Sequence, residues 1–161
     1  IIKEGFYDLP DGDNLFKNVC EKGKDEFYNF LTKTIPNYKV VLNFVRKSPL
    51  GQIEPNYIHT DEMMGELTAI LYLNKVYPIG YGTTLYDNNN NDLLVYKAKY
   101  NSVFIFPSNV NHSRNTLNNF GEDDESRLVH VAFLNKKNEW FSKDAWWVKY
   151  WRGWFKQVHR V

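Results

Sequence analysis

The residues best suited to chemistry in this sequence are two histidines and one aspartate. His59 and Asp61 are separated by Thr60, and His112 follows 53 positions after His59. Residues i and i+2 of a β-strand point to the same side, so His59 and Asp61 form a ligand pair and a third ligand has to come from another strand. When two imidazoles and one carboxylate bind a metal ion, its other coordination positions stay open, as in mononuclear Fe(II) sites. We predict that these three residues bind a metal; the alternative is that they are ordinary polar residues.

Arg127 is the candidate for holding a carboxylate. It lies 15 residues after His112 and alternates with Val129 and Val131, so it would stand at the end of an otherwise apolar strand face. A guanidinium group is always charged, and in that position it requires a carboxylate partner. The alternative is a surface salt bridge with the acidic residues between Glu122 and Glu125. We interpret Arg114 as a solvated loop arginine; the alternative is that it faces the entrance for substrate or the other end of a bound co-substrate. His130 is a poor ligand because it alternates to the opposite strand face from Arg127.

Several motifs, taken in order, resemble the 2-oxoglutarate/Fe(II)-dependent dioxygenases, and most closely their prolyl-hydroxylase-like branch. They are His59-Thr60-Asp61, the run from Thr68 through Tyr72 to Asn74, the turn from Gly80 to Thr83, and Phe106-Pro107 before His112. The resemblance covers about residues 40 to 135. Two features depart from the family pattern: Tyr81 separates the paired glycines Gly80 and Gly82, and the interval from His112 to Arg127 is longer than in comparable members.

The resemblance implies a catalytic centre in which His59, Asp61 and His112 hold Fe(II) and Arg127 binds the distal carboxylate of 2-oxoglutarate. Tyr72 occupies the position where similar hydroxylases place a tyrosine that reaches the same carboxylate, and Thr68 on the same face would line the pocket; both also fit a purely structural role in the core. With O2, such enzymes convert 2-oxoglutarate to succinate and CO2 and usually hydroxylate a substrate. A peptide or protein side chain or a small molecule is the expected substrate.

Two other functions stay open. One is a nucleic-acid demethylase of the same superfamily, but the additional arginine of that group, six residues after the anchor, is Phe133 here, and a net charge of +1 gives no field that attracts nucleic acid. The other is a non-catalytic, cupin-like module that binds a metal or a sugar.

Composition predicts a single domain in a reducing compartment. A chain of 161 residues with 43% hydrophobic and 17% aromatic residues can build one core. Cys20 is the only cysteine, which excludes an internal disulfide and favours a cytoplasmic location. No apolar run approaches the length of a membrane span. We expect a monomer or a homodimer without membrane or nucleic-acid partners.

The pattern of elements predicts a mainly β fold, a double-stranded β-helix of the jelly-roll or cupin-like type with helices before and after it. Residues 1–39 should be helical support, because apolar positions recur at helical spacing from Asn14 to Ile35 with a break at Gly23. Residues 40–135 should form the β-helix core. Its predicted strands are Val40 to Val45, Tyr57 to Asp61, Leu67 to Leu73, Thr83 to Tyr86, Leu93 to Lys97, Ser102 to Phe106 and Leu128 to Leu134, with a polar turn from Asp87 to Asp92.

The aromatic tail, residues 136–161, contains all five tryptophans between Trp140 and Trp154. Their spacing predicts an amphipathic helix whose aromatic side covers the sheet. A dimer contact or a platform for substrate are the alternatives, because aromatic residues mixed with Lys and Arg also suit stacking on bases or sugars.

Overall fold

The fold is mainly β and built from antiparallel strands. The computed structural model describes residues 6–11, 14–20, 22–52, 57–115 and 119–137. Their elements are β1 (Tyr7–Asp11), β2 (Asn14–Cys20), α1 (Lys24–Thr34), β3 (Tyr38–Ser48), β4 (Leu67–Tyr72), β5 (Gly82–Tyr86), β6 (Asp92–Lys97), β7 (Ser102–Pro107), β8 (His112–Arg114), a 3-10 turn (Asp123–Glu125) and β9 (Arg127–Lys136). The aromatic tail beyond Lys137, with its predicted helix, lies outside the described residues.

The strands form two sheets. The larger sheet has six strands in the order β1-β2-β3-β9-β4-β7, and the smaller has three in the order β6-β5-β8. All pairings between these strands are antiparallel. Strand β9 is central, because ten of its residues pair with β3 on one side and six pair with β4 on the other. The last described strand in the sequence therefore lies in the middle of the larger sheet.

The two faces of the larger sheet have different partners. On the inner face, Tyr72, Phe104 and Val129 pack with Leu85 of the smaller sheet, so the two sheets meet face to face. On the outer face, Phe27 and Leu31 of α1 pack on the larger sheet at Ala69, Ala132 and Leu134. Truncating one such buried leucine or phenylalanine costs about 2 to 5 kcal/mol. Burial on both faces makes the larger sheet the rigid support of the molecule.

The sequence predicted most of the strands between residues 40 and 135. Six predicted strands correspond to β3, β4, β5, β6, β7 and β9, with ends that differ by a few residues. The polar turn that begins at Asp87 is also confirmed. Asp87 Oδ1 accepts hydrogen bonds from the backbone N–H groups of Asn89 and Asn91, at 2.8 and 2.9 Å. Hydrogen bonds from the Asn91 side chain, together with these two backbone bonds, hold the pKa of Asp87 below its usual value.

Two predictions of secondary structure are wrong. Residues 14–20 form strand β2 instead of a helix, and α1 begins only after Gly23, whose φ is +74°. Apolar residues at helical spacing were outweighed here by pairing of the backbone with β1 and β3, in which Val19 lies opposite Arg46. The stretch from Tyr57 to Asp61 is not a strand: it forms a single bridge, between His59 and His112. None of the described helices is long and apolar enough to cross a bilayer.

Candidate metal centre

His59 and Asp61 are brought to His112 by the backbone. The N–H of His59 donates to the carbonyl of His112 at 3.0 Å, and the N–H of His112 donates to the carbonyl of His59 at 2.8 Å. The N–H of Asp61 donates to the carbonyl of Ser108 at 2.8 Å. The segment that carries the first two predicted ligands is thus tied to the β7–β8 connection and to the start of β8, which carries the third.

The side chains of these three residues converge. His112 Nε2 lies 3.2 Å from Asp61 Oδ2, and His59 Nε2 lies 3.6 Å from Asp61 Oδ1. One potential ligand atom from each residue lies within 4.8 Å of the other two. Two donor atoms that each bind an ion at about 2.1 Å and at right angles are about 3 Å apart. The two contacts, which involve different oxygens of Asp61, are slightly longer than this value, and the three residues could hold one ion.

Hydrogen bonds orient both imidazoles in the same way. His59 Nδ1 lies 3.0 Å from the carbonyl oxygen of Tyr57, and His112 Nδ1 lies 3.0 Å from that of Val110. A carbonyl oxygen only accepts, so Nδ1 carries a hydrogen in each ring, and Nε2, which lies on the side of Asp61, is the nitrogen that could bind a metal. A metal-binding histidine commonly uses its other nitrogen in this way, which fixes the tautomer and the ring orientation.

Asp61 is oriented by a buried pair of hydroxyl groups. Thr68 Oγ1 donates to Asp61 Oδ2 at 3.2 Å and lies 2.8 Å from Ser108 Oγ. Because the single hydroxyl hydrogen of Thr68 is directed to the carboxylate, Ser108 is the donor in the second bond. Thr68, predicted to bind the co-substrate, lines the cavity as expected, but its hydroxyl group is engaged in positioning a predicted metal ligand.

A cavity of about 570 Å³ opens beside the three ligands. The larger sheet contributes side chains of its inner face to the wall: Phe44, Arg46, Ile70, Val129, Val131 and Phe133. The smaller sheet contributes Thr83, His112 and Arg114. Near these three residues the cavity is bordered by Tyr57 and Met63, which are 57% and 64% exposed, so this side is open to solvent. The volume is of the size that holds small organic molecules.

Arg127 lines the same cavity. It begins β9, and Val129 and Val131 also line the cavity, which is the alternation that the sequence predicted. Tyr72 lies behind the wall: its buried hydroxyl group is 2.8 Å from Thr83 Oγ1, and Thr83 faces the cavity. Burial raises the pKa of Tyr72 to about 12, although the Thr83 hydrogen bond and the Arg127 charge act in the opposite direction. Tyr72 therefore stays protonated at neutral pH.

The sequence analysis preferred the wrong interpretation of one arginine of the cavity and did not consider a second. The interpretation of Arg114 as a solvated loop residue is wrong: it lies on β8, half-buried, and its Nη1 donates to Asn119 Oδ1 at 2.7 Å. Asn119 in turn donates to the carbonyl of Gln52, which joins two loops that are distant in sequence. Arg46 was not considered, although it alternates with Phe44 on a strand in the same pattern that identified Arg127.

His130 lies away from the cavity, as the alternation predicted. It is 3% exposed on the outer face, and its ring centroid is 4.6 Å from that of Phe27 in α1. Burial lowers the pKa of His130 to about 4. The ring is therefore neutral at physiological pH and belongs to the core under the helix.

Comparisons with protein-family models, with curated proteins and with solved structures gave no match. The functional inference therefore depends on the chemistry of this site. Its described residues combine a ligand set of two imidazoles and one carboxylate with a cavity that carries a cationic side chain, Arg127. Such an arrangement can hold a metal ion and, beside it, a small molecule with a carboxylate group.

Proposed function

We propose that this protein is an Fe(II)- and 2-oxoglutarate-dependent dioxygenase that hydroxylates a peptide or protein side chain or a small molecule. The observation that carries the proposal is the orientation of His59 and His112, whose Nε2 atoms both point to Asp61 beside a cavity that Arg127 lines. A function that needs only a bound metal would explain why the Nε2 atoms of both histidines point to Asp61. It would not explain why Arg127 lines the cavity beside them.

The proposed fold is a double-stranded β-helix. Two antiparallel sheets meet face to face, and the candidate site lies between them. In this assignment β1, β2 and α1 are additions to the β-helix, which support one end and the outer face of the larger sheet. The jelly-roll assignment agrees with the resemblance that the motifs around His59, Tyr72 and His112 suggest.

His59, Asp61 and His112 would hold the iron. Three protein ligands leave room for further ligands on the cavity side, as non-haem Fe(II) oxygenases require. When bound, the iron supplies oxidative decarboxylation of 2-oxoglutarate by O2, which yields succinate and CO2 together with a hydroxylated product. The protein orients the ligands through Thr68 and the two backbone carbonyls, and its apolar walls at Ile70 and Val131 limit the access of water.

Arg127 would bind the distal carboxylate of 2-oxoglutarate. A guanidinium group presents two parallel N–H donors that match a carboxylate, and inside a cavity this pair is stronger than at the surface. Thr83 faces the same cavity and is itself bonded to Tyr72. Tyr72 would then position Thr83 and contribute to the anchor from behind it.

Two alternatives have less support. A nucleic-acid demethylase would be expected to carry a second arginine at position 133, and Phe133 is 5% exposed and lines the cavity as an apolar residue. A non-catalytic metal or sugar module of the cupin type needs the metal ligands but does not require Arg127 in the cavity wall. Zinc also accepts three protein ligands with one open position, so the test has to include activity as well as metal binding.

The experiment is anaerobic reconstitution with Fe(II), followed by addition of 2-oxoglutarate and O2 and measurement of succinate. We expect slow formation of succinate without added substrate, and loss of both iron binding and succinate in Asp61→Ala and His112→Ala. Glu62→Gln is the matched control, because Glu62 is the exposed neighbour of Asp61 and does not line the cavity. Iron binding without any succinate would favour the non-catalytic module, and undiminished iron binding in both alanine variants would reject the site.

A further inference from the structure

Strand β6 forms an exposed apolar edge of the smaller sheet. It is the outermost strand in the order β6-β5-β8, and no other described strand pairs with its free side. Leu93, Leu94 and Val95, in its centre, are 64%, 47% and 48% exposed. Proteins usually protect such an edge with a charge or a proline, because an exposed edge pairs readily with another chain. The centre of β6 has neither.

The neighbouring edge strand of the larger sheet is better protected. Residues 102–106 of β7 are all buried or half-buried, although four of them are apolar. Phe104 of β7 stacks on Tyr96 of β6, with ring centroids 4.4 Å apart and an angle of 8° between the ring planes. Strand β6 therefore lies over β7 on the same side of the molecule, and it is the strand whose apolar side chains reach solvent there.

Backbone hydrogen bonds indicate which groups of β6 point to the free edge. The N–H of Ala98 donates to the carbonyl of Tyr81, just before β5, at 2.8 Å. The direction of these groups alternates along an antiparallel strand, so those of Tyr96 and Leu94 are also directed to β5. The N–H and C=O groups of Val95 consequently point away from β5. They are placed to begin a further antiparallel ladder.

One face of β6 is complementary to itself. Asp92, Val95 and Lys97 pair with alternate residues of β5, because an irregularity in the pairing takes up Leu93. Alternate residues of a strand face the same way, so the acid, the valine and the base share one side of the sheet at equal spacing. Val95 lies at the centre of this set, between opposite charges. A two-fold axis at Val95 would therefore place Asp92 of each copy opposite Lys97 of the other.

We propose that two copies of this chain associate through β6, in antiparallel pairing about a two-fold axis at Val95. Val95 of one copy then exchanges backbone hydrogen bonds with Val95 of the other, and the two smaller sheets join into one continuous sheet. Leu94 of each copy lies opposite Tyr96 of the other, which covers an exposed leucine in both copies. Cross-strand pairs of opposite charge, and pairs of aliphatic with aromatic side chains, stabilise such a pairing. An interface of this kind uses the same surface on both copies and closes after two.

This association does not depend on the candidate metal centre. His112 lies on β8, and β5 separates β8 from β6. No described residue of β6 lines the cavity. Each copy therefore keeps its own three candidate ligands, and substitutions in β6 should leave the affinity for Mn(II) within about twofold, because sites without shared contacts act independently.

Sedimentation velocity of the full chain, from about 1 µM to about 200 µM, measures the association. We expect an equilibrium between monomer and dimer that depends on concentration. Val95→Lys should raise the dissociation constant at least about tenfold, because it places two like charges opposite each other at the centre of the pairing. Val76→Lys is the matched control: Val76 is 79% exposed and lies outside β6, so the same substitution there should have no effect on association.

Charge reversal tests the register of the two copies. Asp92→Lys and Lys97→Asp should each raise the dissociation constant about fivefold to tenfold at low salt, since each brings like charges together in both symmetric pairs. The double variant restores opposite charges in both pairs, and its dissociation constant should return to within about threefold of the wild type. Both residues are exposed, so neither reversal is expected to change the fold.

Three results would overturn the inference. One is a monomer throughout the concentration range, which includes the case in which the aromatic tail covers β6 within the same chain. Another is a dimer that Val95→Lys and both charge reversals leave unchanged, because such a dimer uses a different surface. The third is a double reversal that associates no more strongly than either single variant, which would reject the pairing of Asp92 with Lys97.

Discussion

The two histidines of the candidate site are held by the carbonyl oxygens of residues that precede them by two positions. Tyr57 serves His59 and Val110 serves His112, each at 3.0 Å. These are backbone groups, so substitution of the Tyr57 or Val110 side chain does not remove the bond itself. Among the described hydrogen bonds, the only one that the three residues receive from another side chain is that from Thr68 to Asp61, with Ser108 behind it. The role of these two hydroxyl groups can therefore be tested by mutation.

Thr68→Val should weaken metal binding without destroying the site. Valine keeps the volume and the branched shape of threonine but loses the hydroxyl group that donates to Asp61, and loss of such an outer contact lowers metal affinity about 10- to 100-fold. Thr68→Ser, which keeps the hydroxyl group, is the control and should remain within a few-fold of the wild type. Titration with Mn(II) measures both, and equal affinity in the valine and serine variants would contradict the role.

Arg127→Lys should separate co-substrate binding from metal binding. Lysine keeps the charge but lacks the planar pair of N–H donors, so the concentration of 2-oxoglutarate needed for half-maximal succinate formation should rise about tenfold or more. Affinity for Mn(II) should not change, because Arg127 is not one of the three converging ligands. An unaltered requirement for 2-oxoglutarate would assign the anchor to another cavity residue.

At the scale of elements, the smaller sheet determines whether His112 and Arg114 face the cavity. Strand β8 has only three residues and pairs with β5, which pairs in turn with β6. Gly82 begins β5 with a φ of +153°, and a Cβ atom there would lie 1.9 Å from the carbonyl oxygen of Tyr96 in β6. Close packing of two backbones at this point requires glycine.

Gly82→Ala should therefore separate β5 from β6 and lower the free energy of unfolding by at least about 2 kcal/mol, because both the backbone conformation and the contact are unfavourable for alanine. Gly80→Ala is the control: Gly80 has a φ of +92° but no atom within 4 Å of the added Cβ, so only the conformational cost, about 1 kcal/mol, applies. Urea unfolding of the two variants measures the difference. Equal losses would mean that β5 can shift away from Tyr96 at little cost.

In the molecule as a whole, the candidate site on the inner face of the larger sheet depends on the core that α1 forms on the outer face of the same sheet. Helix α1 covers β4 and β9 there, and His130 is buried beneath it against Phe27. Its Nε2 atom has no hydrogen-bond partner among the described residues. Protonation would place an unsatisfied charge in this core, which is why burial lowers the pKa of His130 from 6.5 to about 4.

Stability should consequently fall in mild acid. A histidine whose pKa is lowered in the folded state binds a proton more readily in the unfolded state. The stability that neutral His130 contributes is therefore fully present above about pH 6.5, and up to about 3 kcal/mol of it is lost as the pH falls towards 4. His130→Phe keeps a ring in the core and should show a smaller loss between pH 7 and pH 5 than the wild type. Chemical denaturation at both pH values measures this, and parallel losses in the two proteins would refute the prediction.

Residue types and short-range periodicity were sufficient for much of this molecule. The alternation of Arg127 with Val129 and Val131 identified residues that line one cavity, because the direction of side chains along a strand is local and independent of the rest of the fold. The same alternation predicted six strands. His59 and Asp61 were identified by residue type and spacing; their segment is not a strand, and backbone bonds to His112 and Ser108 bring them together. Substrate class, iron and 2-oxoglutarate remain predictions that rest on resemblance and chemistry.

The tertiary structure decided what depends on contacts between distant residues. Residues 14–20 pair as a strand in spite of their helical spacing, because backbone bonds to β1 and β3 outweigh a weak local preference. Arg46 and Arg114 enter the cavity only because two sheets meet there, and Thr68 reaches Asp61 only because the segment after His59 folds back on β4 and β7. Local sequence encodes which way a side chain points along a strand; which groups it then faces is determined by how the sheets pack.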